Sequence, residues 1–118
     1  MVNFRNLIVW KRSVSLATDI YKVTINFPNI ESYGLTAQIR RSSVSISSNI
    51  VEGAGRKSTR SFAHFLGISY GSAYELETQI LIAKNLKYLN EEDFKLLYSE
   101  INEIQKMLYV LEKKQSSS

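Results

Sequence analysis

Apolar residues recur along this chain in steps of three and four, the spacing that keeps one stripe of a helix turned toward a partner. The last segment shows it most plainly: Phe94, Leu97, Ile101, Ile104, Leu108 and Leu111 are separated by 3, 4, 3, 4 and 3 residues. Asn90 precedes Glu91, Glu92 and Asp93, an N-cap followed by anions at the positive end of the helix dipole. Lys113 and Lys114 stand at the other end, where cations are favoured. The pattern predicts a helix over about 90–114, with residues 115–118 fraying.

The segment from about 58 to 87 repeats the arrangement with Phe62, Leu66, Ser69, Ala73, Leu76, Ile80 and Ala83, and Ser58 as its N-cap. A second row, Ala63, Gly67 and Gly71, recurs every four residues. Glycine inside a helix costs up to about 1 kcal/mol against alanine, so this row suggests close packing by another backbone. Near the start, Leu7, Trp10, Val14, Ala17 and Tyr21 form a stripe with Ile20 and Phe27 beside it, and Pro28 closes a helix over about 6–27. Between them, about 32–53 carries Leu35, Ile39, Ile46 and Ile50 together with Ser42, Ser43, Ser45, Ser47 and Ser48. That serine content is poor for an isolated helix but permits tight helix–helix contact. Gly53-Ala54-Gly55 then ends the helix, with glycine available for a left-handed cap.

Four such helices joined by short links predict an all-α, antiparallel, up-down-up-down four-helix bundle formed by residues 1–118 as one domain. Trp10, Ile39, Ile46, Leu66, Leu76, Ile80, Ile101, Ile104 and Leu108 are its expected core. A length of 118 residues with 44% hydrophobic content fits that reading and argues against disorder. No run approaches the roughly 18 apolar residues of a membrane span. The opening residues lack a clean apolar stretch and small-residue cleavage site, which leaves the cytoplasm as the expected location.

The chemistry is sparse. With no cysteine, disulfides, thiolate metal sites and a cysteine nucleophile are excluded. The single histidine, His64, has no partner imidazole and no glutamate three residues before it, so a bundle metal site is not expected. Gly53-Ala54-Gly55-Arg56-Lys57-Ser58 departs from a phosphate-binding loop, because Arg56 interrupts the Gly-Lys pair and a helix precedes it where a strand is needed. Glu52 lies at the unfavourable end of its helix dipole and is expected to pair with Arg56, Lys57 or Arg40. No catalytic residue and no cofactor are expected.

Charge is more informative. The net charge is +4, yet residues 1–60 hold most of the Lys and Arg, including Arg5, Lys11, Arg12, Arg40, Arg41, Arg56, Lys57 and Arg60. Such asymmetry fits either a surface for an anionic partner or a solvated face with chance asymmetry, and charge alone does not decide between them. Arg40, Arg41, Arg56, Lys57 and Arg60 are the candidate nucleic-acid-binding residues, with a helix N-terminus near Ser58 able to receive a phosphate. Arg40 and Arg41 lie roughly 20 Å back from the turn at 1.5 Å per residue, so repetition around an oligomer would be needed to join the two patches. Tyr33, Tyr70 and Tyr74 are candidates for stacking, although aromatics at helical spacing more often serve a core or an interface.

Several motifs occur together: Phe4-x-x-Leu7-x-x-Trp10-Lys11, then Phe27-Pro28-x-x-Glu31-x-Tyr33-Gly34-Leu35-x-x-Gln38-Ile39-Arg40-Arg41. Ser45-Ile46-x-x-Asn49-Ile50-x-Glu52-Gly53 follows, then Phe65-Leu66 and Gly71-Ser72-x-x-Glu75-Leu76-Glu77-Thr78-Gln79. Over nearly its whole length the chain resembles the four-helix bundle proteins encoded in intervening sequences of bacterial 23S rRNA genes. Ser43 and Val51 depart from the alanine often found there, and both are small enough to keep the packing. The resemblance implies a non-enzymatic protomer that assembles into ring-like homopentamers, with no catalytic residue to carry over. A related branch, the accessory variability protein of diversity-generating retroelements, is a basic pentameric barrel that binds nucleic acid and a reverse transcriptase. The expected function is therefore a scaffold that binds structured RNA or other nucleic acid through a basic surface. The alternative is a protein-interaction module whose oligomer recruits a protein partner. Small and apolar residues outside the main stripes of the second and third helices agree with a covered second face.

Overall fold

A computed structural model describes residues 2–117. It contains four α-helices and, among the described residues, no strand: α1 (Ile8–Thr24), α2 (Leu35–Ala54), α3 (Thr59–Asn85) and α4 (Glu91–Ser116). Short 3-10 turns at Phe4–Asn6 and Asn29–Glu31 precede α1 and α2. The helices form a body 45 × 24 × 20 Å, so its two ends are well separated.

The local signals that start α3 and α4 act as expected. Ser58 accepts a hydrogen bond from the Ser61 amide at 3.1 Å, and Asn90 accepts one from Asp93 at 2.7 Å. Between α1 and α2 the chain turns earlier than the pattern suggests. The Phe27 amide bonds to the Thr24 carbonyl, ending α1 at Thr24 rather than 27. Residues 29–31 then form their own turn, and α2 starts at Leu35 rather than 32. Glu31 holds that start: its carboxylate accepts from the Leu35 amide at 3.2 Å and from the Tyr88 hydroxyl at 3.0 Å. At the far terminus α4 continues to Ser116, past the expected end, and Ser118 lies outside the described residues.

Ile39, Ile46, Leu66, Leu76, Ile80, Ile101, Ile104 and Leu108 are fully buried, as the stripes require. Trp10 is the exception. It is half-buried and packs edge-on against Phe4, ring centroids 5.0 Å apart. The reason is that α1 turns a different face inward: Val9, Ser13, Leu16, Ile20 and Thr24 are buried, while Val14 and Tyr21 are exposed. Two polar residues fit that face because each hydroxyl donates to its own helix, Ser13 to the Val9 carbonyl and Thr24 to the Ile20 carbonyl, both at 2.7 Å. A buried hydroxyl satisfied in this way needs no partner across the core.

The most extensive helix interface joins α2 and α3. Here serines of both helices allow close approach. Ser69 donates to the Ile46 carbonyl at 2.7 Å, and Ser45 and Ser72 share a hydrogen bond at 2.9 Å. Closest of all is Gly53, where an added Cβ would lie 2.7 Å from the Phe65 Cβ and 3.2 Å from the Phe62 carbonyl oxygen. The Gly67/Gly71 row does not supply the expected close approach within the chain. A Cβ added at Gly71 would meet nothing within 4 Å, and one at Gly67 only the Glu112 carboxylate at 3.8 Å.

The left-handed cap also lies elsewhere. Gly55 after α2 has φ −80°, whereas Lys87 after α3 has φ 66°. The Tyr88 amide bonds to the Ala83 carbonyl and the Lys87 amide to that of Lys84, both at 2.9 Å, which is the Schellman arrangement with lysine where glycine is usual.

Candidate nucleic-acid interface

The turn linking α2 to α3 places Arg56, Lys57 and Arg60 together on an exposed surface. Arg56 pairs with Glu52 at 2.6 Å, one helical turn back, and its guanidinium lies 4.8 Å from the centre of the Phe65 ring. The pairing expected for Glu52 is thereby met. Both side chains are about half exposed, so the pair is a weak restraint rather than a lock. Lys57 and Arg60 are exposed beside it.

Other cations reach the same end. A shallow cleft bounded by Val2, Ala54, Arg56, Lys57 and Gln115 brings the last turn of α4 to the α2–α3 turn, and with it Lys113 and Lys114. A second cleft sets Arg5 near Val51 and Gly55. Glu52 and Glu112 are the acids on these segments. Lys113 sits 5.5 Å from the Tyr109 ring centre, and Arg5 lies 4.5 Å from that of Phe4. This end of the bundle therefore carries an excess of positive charge with aromatic rings beneath several of its cations.

Arg40 and Arg41 are not part of it. Arg40 is half-buried at the opposite end, donating through Nε to Thr24 Oγ1 at 2.9 Å and lying 4.5 Å over the Tyr21 ring. It lines a cavity of about 210 Å³ with Thr24, Phe27, Asn29, Ser32 and Thr36. Arg41 is exposed on α2, away from the turn. Of the five candidate cations the structure unites three and leaves two apart. Lys113 and Arg5 belong with the three, and only the fold brings them there. Their sequence signals are a helix-end lysine and an arginine near the amino terminus, each with an ordinary local explanation.

His64 is exposed on α3 beside Phe65, with ring centroids 5.3 Å apart. Among the described residues no cluster of His, Cys, Asp or Glu has the makings of a metal site, and no helix is long and apolar enough to cross a membrane.

The aromatic candidates divide as well. Tyr33 is fully exposed on its loop, but Tyr70 meets both Tyr74 and a residue that no sequence motif singles out, Tyr109 of α4. The Tyr70 and Tyr74 hydroxyls are 3.3 Å apart. That hydrogen bond, with partial desolvation and the nearby Glu112 carboxylate, raises the Tyr70 phenol above its usual range. Tyr109 stands next to Leu108 but outside the α4 stripe, as do Leu96, Tyr98 and Val110, so α4 carries apolar positions beyond its core face.

Comparison with known proteins agrees with this architecture. A family model described as 23S rRNA-intervening sequence protein matches residues 5–110. A solved structure from Bacteroides thetaiotaomicron, described as a protein with unknown function from the S23 ribosomal protein family, is similar at 28% identity and a TM-score of 0.81. The similarity covers 90% of this chain and 99% of that one. Among curated proteins nothing matches.

Proposed function

The chain belongs to the 23S rRNA-intervening sequence protein family, and from that premise we propose that it is a non-enzymatic scaffold that binds RNA through the basic end of its bundle. One observation carries the reading. Arg5, Arg56, Lys57, Arg60 and Lys113 gather at one end, with Glu52 and Glu112 as the acids of the same segments. Cations on a common exposed surface are what phosphate contact requires, whatever their order in the chain. Arg40 contributes little in this scheme, because its guanidinium is engaged by Thr24 and Tyr21.

The same proposal includes the antiparallel course of the helices and their assembly. Contacts between α2 and α3 pair Gly53 with Phe62 and Phe65, Ile46 with Ser69, and Ser45 with Ser72. Numbers rise on one helix as they fall on the other, which supports the up-down-up-down order. Val44 of α2 and Ile68 of α3 remain exposed outside the core and support a ring-like homo-oligomer, a pentamer by family resemblance, built on the α2–α3 side. Repetition around such a ring multiplies individually weak phosphate contacts.

Replacing Arg56, Lys57 and Arg60 together with glutamine tests the reading. RNA affinity should fall and its dependence on salt should flatten, while helical content and oligomer mass stay as they were. Unchanged affinity in a folded, assembled triple variant would move the function to the protein-interaction alternative. Light scattering that returns the 13.5 kDa protomer mass would reject the ring.

A further inference from the structure

A groove of about 420 Å³ lies between α3 and α4 and is lined by Tyr70, Tyr74 and Tyr109 with Asn102 and Lys106. That volume falls within the range of pockets that hold small molecules. The Tyr70 ring stands edge-on to Tyr74, centroids 5.0 Å apart, and is tilted against Tyr109 at 6.1 Å. Tyr74 and Tyr109 are 45% and 48% exposed, so each keeps ring surface free for a ligand. The floor of the groove is settled within the protein: the buried Gln105 amide donates to Glu77 at 3.0 Å.

We propose that this groove takes unpaired bases of single-stranded RNA, stacked on Tyr74 and Tyr109, while Lys106 and Lys113 hold the adjoining phosphates. The proposal rests on the reading of the basic end as an RNA site and names the form of RNA it accepts. Its support is continuity. Lys113, at the basic end, lies over Tyr109, and Tyr109 leads to the Tyr70–Tyr74 pair. Lys106 continues the line two helical turns earlier on α4, roughly 10 Å away at 1.5 Å per residue. Its bond to Glu103 is long at 3.7 Å and its side chain is 74% exposed, so a phosphate can compete for it.

Cations alternating with aromatic faces are the arrangement that follows a single strand, in which phosphates and bases are presented separately. A duplex hides its base faces by stacking them on one another, and meets such a groove only through phosphates. An acidic peptide would use the lysines too, but it does not present a flat face in every repeat to the tyrosines, as a strand of bases does. The groove also lies on the α4 side of α3, away from the α2 side offered for assembly, so ring formation and strand binding use different surfaces.

Fluorescence anisotropy with a labelled oligouridylate and an RNA duplex of equal length tests the proposal. The wild-type assembly should prefer the single strand. Combining Tyr74→Ala with Tyr109→Ala should weaken single-strand binding about ten-fold or more, given the usual worth of a base–aromatic stack, and leave duplex binding unchanged. Combining Tyr74→Phe with Tyr109→Phe keeps the rings and should retain the preference, with circular dichroism showing both proteins folded. Equal binding of strand and duplex by the wild type overturns the proposal, as does an alanine pair that binds the strand normally. An alanine pair that loses the oligomer mass overturns it too, since the groove would then be covered by a second copy. In each of these cases the basic-end reading survives if the Arg56/Lys57/Arg60 glutamine variant loses affinity for both RNAs. No binding of either RNA by the wild type rejects both.

Discussion

The two ends of the bundle treat their charges in opposite ways. At the end where α1 finishes and α2 begins, charged groups are committed to holding the chain. Glu31 caps α2 and receives the Tyr88 hydroxyl, Arg40 braces Thr24 and Tyr21, and Lys84 pairs with Glu91 at 3.6 Å while lying 4.7 Å over the Phe94 ring. At the α2–α3 turn the cations face outward, and the fold is held instead by apolar contact between Gly53 and the phenylalanines of α3. A surface meant for an anionic partner has to leave its cations available, so its structural support must come from uncharged packing. The bundle keeps its paired charges and its outward-facing cations at opposite ends of a 45 Å length.

The sharpest way to break this contrast is at Gly53. A Cβ there would overlap Phe65, so Gly53→Ala should cost about 1–3 kcal/mol in chemical denaturation, the usual penalty of overpacking. A neutral result would mean that the basic end is not fixed by close packing. The matching change at the other end is Glu31→Ala, which removes the carboxylate that serves both the Leu35 amide and Tyr88. A loss of about 1–2 kcal/mol is expected there. Lys87→Gly should act in the opposite direction and stabilise by about 1 kcal/mol, because glycine occupies φ 66° without the crowding a side chain meets. Smaller still is Glu52→Gln, which removes an exposed pair with Arg56 and should change stability by less than about 0.5 kcal/mol. The same variant should bind RNA more tightly, since Arg56 loses its competing carboxylate. A stability loss at Glu52 equal to that at Glu31 would erase the distinction between the ends.

An alkaline titration separates the ends without changing many residues. The bond to Glu31 raises the Tyr88 phenol above its usual value near 10, so the folded protein favours the neutral form. Its contribution is complete below about pH 10, where the unfolded phenol still holds its proton, and is lost as pH rises through the raised folded value. Tyr88→Phe should therefore be less sensitive to alkali than the wild type in denaturation followed at rising pH.

The sequence is informative where one helix face alone decides the outcome. The α3 and α4 stripes, the Ser58 and Asn90 caps and the Glu52–Arg56 pair all involve residues within a few positions of one another, and local chemistry is sufficient. The α1 face is harder to read, because Ser13 and Thr24 bury their hydroxyls by turning them back on their own helix, which a count of apolar positions does not register. Lys87 gives no sign of being a left-handed cap, because the bonds of its own amide to Lys84 and of the Tyr88 amide to Ala83 outweigh the poor fit of its side chain. For the candidate site, Arg56, Lys57 and Arg60 are legible as neighbours in the chain. Arg5, Lys113 and Tyr109 join their partners only through packing between helices distant in sequence, and nothing around Arg40 signals that Thr24 and Tyr21 hold it.

The α2–α3 interface also bears on the order in which the molecule assembles itself. These helices are joined by residues 55–58 alone and share the largest contact, whereas α1 makes the smallest contacts, with α2 and α4. Closing so short a loop is fast and costs little entropy. The α2–α3 hairpin is therefore expected to form first, with α1 arriving late and leaving first. Amides of α1 should accordingly exchange with deuterium through partial openings that leave Ser69 and Ile46 protected. Arg5 travels with α1, so the basic end gains its full charge only when the last helix has docked.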